Sequence, residues 1–205
     1  MKFLRSFKLR YMAGSLLVFF AIFSTTSVVS ALTANTTITS TVSKVISLLT
    51  TSGTVNLDVV PTGAGAQTIA SDTVTVSTND VSGYTLTLSS STASLPLTSG
   101  SNTIPALTAG TQSTPIVQTV NTWGYCVPSV GGFSTFCPSA NASSVAISGT
   151  YKFAGIKASG SGDTIANTNT TASNATTTVW YGVAANTSQP SGTYTNTVTY
   201  TATIN

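Results

Sequence analysis

Along most of this 205-residue chain, apolar and hydroxyl side chains alternate with a period of two, and no other feature limits its fold as tightly. That period places greasy side chains on one face of an extended backbone and hydroxyls on the other. The C-terminal stretch is the clearest case. Tyr194, Asn196, Val198, Tyr200, Ala202 and Ile204 fall on one side, and an unbroken threonine series falls on the other. Residues 73–77, with Val74 and Val76, and residues 84–88, with Tyr84, Leu86 and Leu88, repeat the pattern. The turn-forming stretch 78–83 between them predicts a hairpin with a loop. Residues 177–184 precede the turn Gln189-Pro190-Ser191-Gly192 and are expected as the antiparallel neighbour of the C-terminal strand.

Further strands are expected over 38–46, 53–60, 116–122 and 145–154, and loops over 61–67, 89–94, 106–114 and 158–175. Residues 45–49 are apolar enough for a helical turn, with a strand or a loop as equal alternatives, and no other stretch competes as a helix. Short strands separated by Gly, Pro, Ser and Asn predict an all-β, antiparallel β-sandwich, with a barrel as the alternative closure.

The first 31 residues have a different composition. Lys2, Arg5, Lys8 and Arg10 form a basic region, residues 12–23 an apolar block, and Val29-Ser30-Ala31 a small-residue cleavage site before Leu32. This predicts a signal segment, 1–31, and one domain, 32–205; an uncleaved anchor is the alternative. Ser24, Thr25, Thr26 and Ser27 interrupt the apolar run before it reaches a full span. The basic flank places the rest of the chain outside the cytoplasm in either case. Without these 31 residues the basic pI loses its meaning. Lys44, Lys152 and Lys157 then stand against Asp58, Asp72, Asp80 and Asp163, a net charge of 3 − 4 = −1, which is no nucleic-acid footprint. The remaining 174 residues are enough to bury roughly 70% of the unfolded surface in one core.

Chemistry is constrained chiefly by what is missing. The chain has no histidine, all four acids are aspartates, and every arginine lies in the first 31 residues. Ser-His-Asp and Cys-His mechanisms lack their base, and arginine-based phosphate clamps lack their guanidinium. An aspartate pair of the glycosidase kind would need carboxyls roughly 5 to 10 Å apart, and no spacing in the sequence points to one. Asn79-Asp80 offers oxygen ligands for a hard cation but matches no EF-hand spacing, so turn stabilisation is preferred. No catalytic residue, metal site or cofactor is expected.

Cys126 and Cys137 are the only cysteines, and in an exported domain they are expected to form a disulfide, with free thiols as the alternative. Closing that loop would stabilise the fold by roughly 3 kcal/mol. Trp123, Tyr125, Phe133 and Phe136 cluster around the pair. They are either core or a contact surface for glycans or proteins, and strand register favours core for at least one of the first two.

Three segments in order, Asn121-Thr122-Trp123-Gly124-Tyr125, Val179-Trp180-Tyr181-Gly182-Val183, and Gln189-Pro190-Ser191-Gly192-Thr193-Tyr194 running into Val198-Thr199-Tyr200-Thr201-Ala202, carry a resemblance. The chain resembles a group of poorly characterised bacterial secreted and cell-surface proteins with immunoglobulin-like β-sandwich folds, and its last strand resembles those of pilin-type sandwiches. The resemblance implies a non-enzymatic structural or adhesive role at the cell surface and transfers no catalytic residue. Partners expected on this reading are other surface proteins, glycans or further copies of the chain, with no nucleic acid and with membrane contact only through the N-terminal segment. A carbohydrate-binding module and a subunit of a pilus-like assembly are the alternatives. Residues 32–47, with few charges, could pair with the open sheet edge of a neighbouring copy.

Overall fold

The computed structural model describes residues 32–128 and 130–205. The expected signal segment 1–31, including Ala31 of the expected cleavage pair, lies outside the described residues. The chain divides into two units, Met1–Thr41 and Val42–Asn205. In the first, residues 32–41 are exposed and form neither strand nor helix.

The second unit is all-β. The described residues form β1 (Ile46–Thr50), β2 (Ala66–Thr78), β3 (Tyr84–Ser90), β4 (Leu97–Ser99), β5 (Asn102–Ile104) and β6 (Ile116–Val117). They continue with β7 (Thr122–Cys126), β8 (Ala142–Ala146), β9 (Lys152–Phe153), β10 (Asp163–Thr168), β11 (Ala172–Ala185) and β12 (Val198–Ile204), and include no helix. The larger sheet runs β1-β2-β11-β7, with β8 beside the first half of β2; the smaller runs β10-β3-β12. β4 pairs with β5 and β6 with β9, and every strand pair is antiparallel.

The two main sheets share one core. Val74 and Val76 of β2, Leu86 and Leu88 of β3, and Val179 of β11 are each wholly buried within it. Burial of one such side chain stabilises the fold by about 1.5 to 3 kcal/mol, so each alternating strand is held by the sheet opposite it. Two pairings expected from the sequence are corrected on this account. Residues 73–77 and 84–88 form no hairpin: β2 bonds to β1 and β11, whereas β3 bonds to β10 and β12. The turn between them carries the chain from one sheet to the other. Likewise β11 and β12 lie in opposite sheets and meet through side chains, with the Tyr181 and Tyr200 hydroxyls 2.7 Å apart. Alternation marks which face of a strand is buried, and strands lying face to face bury the same pattern as strands lying side by side.

Other segments also depart from expectation. Of residues 38–46 only Ile46 enters a strand, and residues 53–60 join no ladder although Val55, Leu57 and Val59 pack on the core. Residues 158–175, expected as a loop, contain β10, whose polar sequence hides its pairing with β3. Residues 116–122 and 145–154 are each broken, the first over 118–121, where a turn ends at Asn121 with φ +57°.

The two Trp/Tyr/Gly motifs meet in the larger sheet. In the β7–β11 ladder Tyr125 is opposite Tyr181 and Gly124 opposite Gly182, so the glycines share the face away from the tyrosines. A methyl group on Gly182 would sit 2.8 Å from both Gln118 Oε1 and the Phe153 ring, and one on Gly124 would sit 2.5 Å from the Ala154 carbonyl. Bare backbone here lets Phe153 and Gln118 seat against the sheet. Gln118 donates to the Thr122 and Gly182 carbonyls, both at 2.8 Å, and accepts from Gln67, so a buried amide pair joins β2, β7 and β11. Gly182→Ala is expected to lower unfolding free energy by about 1 to 3 kcal/mol through overpacking. In denaturant titrations, combining it with Phe153→Leu should cost less than the two single changes added together.

Candidate functional site

The region around the disulfide belongs to the core. Cys126, the last residue of β7, is bonded to Cys137 with the α-carbons 5.6 Å apart. The loop so closed folds inward: Phe133 is wholly buried and meets the Tyr125 ring edge-on, with centroids 5.6 Å apart and planes at 70°. Trp123 is buried in the core and donates its indole N–H to the Leu95 carbonyl at 3.0 Å. Phe136 is half-buried, and Lys152 Nζ lies over its ring, 3.8 Å from the centroid. Of the two readings of these aromatics, core holds for Trp123, Tyr125 and Phe133, so they form no contact surface, whereas Phe136 stays half-exposed with a lysine over one face. Leu32, the other member of the expected cleavage pair, is exposed.

The aspartates are tied into the same framework. Asp163 opens β10, is buried, accepts the Tyr125 hydroxyl at 2.6 Å, and is paired with Lys157 at 2.6 Å. That contact joins β7 of one sheet to β10 of the other. Asp72 is buried and accepts the Ser52 N–H at 3.2 Å, while Asp58 is exposed and its carbonyl accepts Thr68 Oγ1 at 2.7 Å. Asp80 is paired with Lys44 and accepts the Ser82 N–H at 2.8 Å, and these two contacts hold its carboxyl below the ordinary range. Asn79 beside it accepts from Val45 N and donates to the Ser43 carbonyl, both at 2.8 Å, so its side-chain amide continues the β1–β2 ladder past the end of β1. Asn79 and Asp80 thus serve a turn and a clamp. Among the described residues no group of three or more His, Cys, Asp or Glu side chains is placed to hold a metal ion.

What the fold displays instead is a surface of hydroxyls. On the outer face of the smaller sheet, Thr85 is opposite Thr203, Thr87 opposite Thr201, and Ser89 opposite Thr199; on the other side of β3, Thr87 is opposite Thr164 and Thr85 opposite Asn167. Period-two alternation in β3 and β12 puts their hydroxyls out because it puts Leu86, Leu88 and Tyr200 in. None of these outward residues is charged. Asn167 donates to Thr85 Oγ1 at 3.1 Å, and Thr85 donates to Asn205 Oδ1 at 2.7 Å, so part of the array is already hydrogen-bonded. Its spacing was readable in the sequence; the side-by-side arrangement of β10, β3 and β12 was not. No protein-family model, curated protein or solved structure matches the chain.

Four tyrosines ionise above the ordinary phenol range, foremost because of burial: Tyr84; Tyr125, where Asp163 adds to the effect; Tyr181, where Tyr200 adds to it; and Tyr200. Unfolded phenols ionise near about pH 10. Above that value the folded chain binds more protons than the unfolded one, so stability falls as pH rises. The urea midpoint should drop between about pH 9 and pH 11, and in Tyr181→Phe/Tyr200→Phe the drop should be smaller.

Proposed function

We propose that the protein is a non-enzymatic, extracytoplasmic structural or adhesive component, built as an immunoglobulin-like β-sandwich behind a signal segment. The observation that carries the reading is how the reactive groups are used. Asp72, Asp80 and Asp163 bond to protein partners inside the fold, and both cysteines are spent on one disulfide. Uncharged threonines are left to face solvent on the smaller sheet. A general acid or base must be free to exchange a proton with a bound substrate, and these carboxylates are committed elsewhere. A disulfide closing a loop whose phenylalanine lies in the core suits an oxidising compartment.

The carbohydrate-binding alternative rested on loop aromatics, and burial of Trp123, Tyr125 and Phe133 removes that support. Cell fractionation with mass spectrometry of the purified chain tests the reading. Expected are a protein outside the cytoplasm, a mature N-terminus at Leu32, and no thiol reactive after denaturation. A cytosolic chain with two free thiols would contradict it.

A further inference from the structure

Among the described residues the two main sheets end in five edge strands, and four of them are guarded. β8, beside the first half of β2, is interrupted by a register shift between Gln67 and Ile69, with φ +52° at Ser144. β7 is covered: Trp123 exchanges backbone hydrogen bonds with Pro105 and Leu107, and Tyr125 exchanges them with Ala154. β10 carries a register shift between Thr164 and Ala166, an irregularity that discourages further pairing. β1 is preceded by Lys44, and a charge beside an edge has the same effect. β12 has no such device. Its seven residues contain no charge, proline or glycine, and its outer edge pairs with no strand among the described residues. Its inward side chains Val198, Tyr200, Ala202 and Ile204 are only half-buried, so that side of the core is incompletely covered.

A segment of strand-like composition that joins no strand lies elsewhere in the chain. Residues 36–42, Thr-Thr-Ile-Thr-Ser-Thr-Val, are uncharged, and in an extended chain their two apolar residues, Ile38 and Val42, share one face with Ser40 between them. Ile38 is 91% exposed and Val42 82% exposed, and both are large apolar side chains. The Asn79 clamp on Ser43 and Val45 fixes where this stretch leaves the sandwich.

The geometry points to a second copy of this chain as the occupant of the β12 edge: residues 36–42 of one molecule add to the smaller sheet of the next. The faces match. In the added strand Thr37, Thr39 and Thr41 would extend the hydroxyl row of Thr199, Thr201 and Thr203, while Ile38 and Val42 would close over the half-buried side chains of β12. The bonds formed are main-chain hydrogen bonds, with alternate side chains setting the register. Because the donor and acceptor surfaces differ, the contact is head-to-tail and propagates into a filament unless a ring closes. The inference rests on the structural surface role proposed above and names the partner for it.

Complementation between two blocked variants provides the test, on exported protein purified in mild detergent. Ile38→Lys/Val42→Lys disables the added strand at exposed positions. Ala202→Lys disables the edge, because its lysine can reach solvent when the edge is free but not when a strand covers it. By light scattering, wild type is expected to associate with rising concentration. Each variant alone should need at least tenfold more protein to do so, and an equimolar mixture should form a heterodimer. Should Ala202→Lys fail to fold, amide exchange on the wild type replaces it, with exchange in β12 slowing as the protein is concentrated. A monomeric wild type, association unchanged in the strand-blocked variant, or a folded pair of variants that does not combine would overturn the inference. So would β12 exchange that ignores concentration. None of these results alters the outcome of fractionation, so the two readings fail separately.

Discussion

The fold depends on two apolar faces closing on each other, because the faces that the main sheets turn toward each other cannot stay in water; the smaller sheet is apolar on that face only, and the larger is covered on its second face only locally, at Gly124 and Gly182 by Phe153 and Gln118. Val74, Val76 and Val179 on one side and Leu86 and Leu88 on the other supply that closure. Polar contacts then set its alignment. The Tyr181–Tyr200 hydroxyl contact and the Tyr125–Asp163 hydrogen bond each join a strand of the larger sheet to one of the smaller. Dispersion and burial provide most of the stability, because a hydrogen bond adds only about 1 kcal/mol net. These polar groups therefore act mainly by making other alignments costly, since slippage would leave a buried hydroxyl or carboxylate unpaired.

The same closure explains the surface. With almost no charge outside the N-terminal segment, solubility falls to hydroxyl and amide side chains, and period two delivers them to the outer face wherever it delivers apolar residues inward. β3 and β12 show both outcomes in one ladder, with Leu86 beside Ala202 on the inside and Thr87 beside Thr201 on the outside. Such a face is polar without being selective for charge. The structural role proposed above draws on this face and on Asp72, Asp80 and Asp163, whose carboxylates are bonded within the fold.

Much of this was legible in the residues, within definable limits. Val74 to Val76 and Tyr84 to Leu88 read as strands because their alternation is clean, and Cys126 and Cys137 read as a pair because nothing else could use them. Strand partners were not legible. A hairpin and a crossing between sheets both need a turn at 78–83, and only the identity of the facing strands separates them. β10 escaped notice because Asn167, Thr164 and Thr168 dilute its apolar signal and Asp163 looks like a turn residue until Tyr125, 38 positions earlier, is placed against it. For the loop aromatics, period two favoured the core for at least one of Trp123 and Tyr125, but it said nothing of Phe133, which is buried by the loop that the disulfide closes.

The face-to-face arrangement is open to direct measurement by solution NMR, through short proton–proton distances between backbones. Expected are backbone contacts of Leu86 with Ala202 and with Ala166, and contacts from β3 to β2 between side chains alone. Backbone contacts between 73–77 and 84–88 would instead place those strands side by side in one sheet, and face-to-face closure would be wrong.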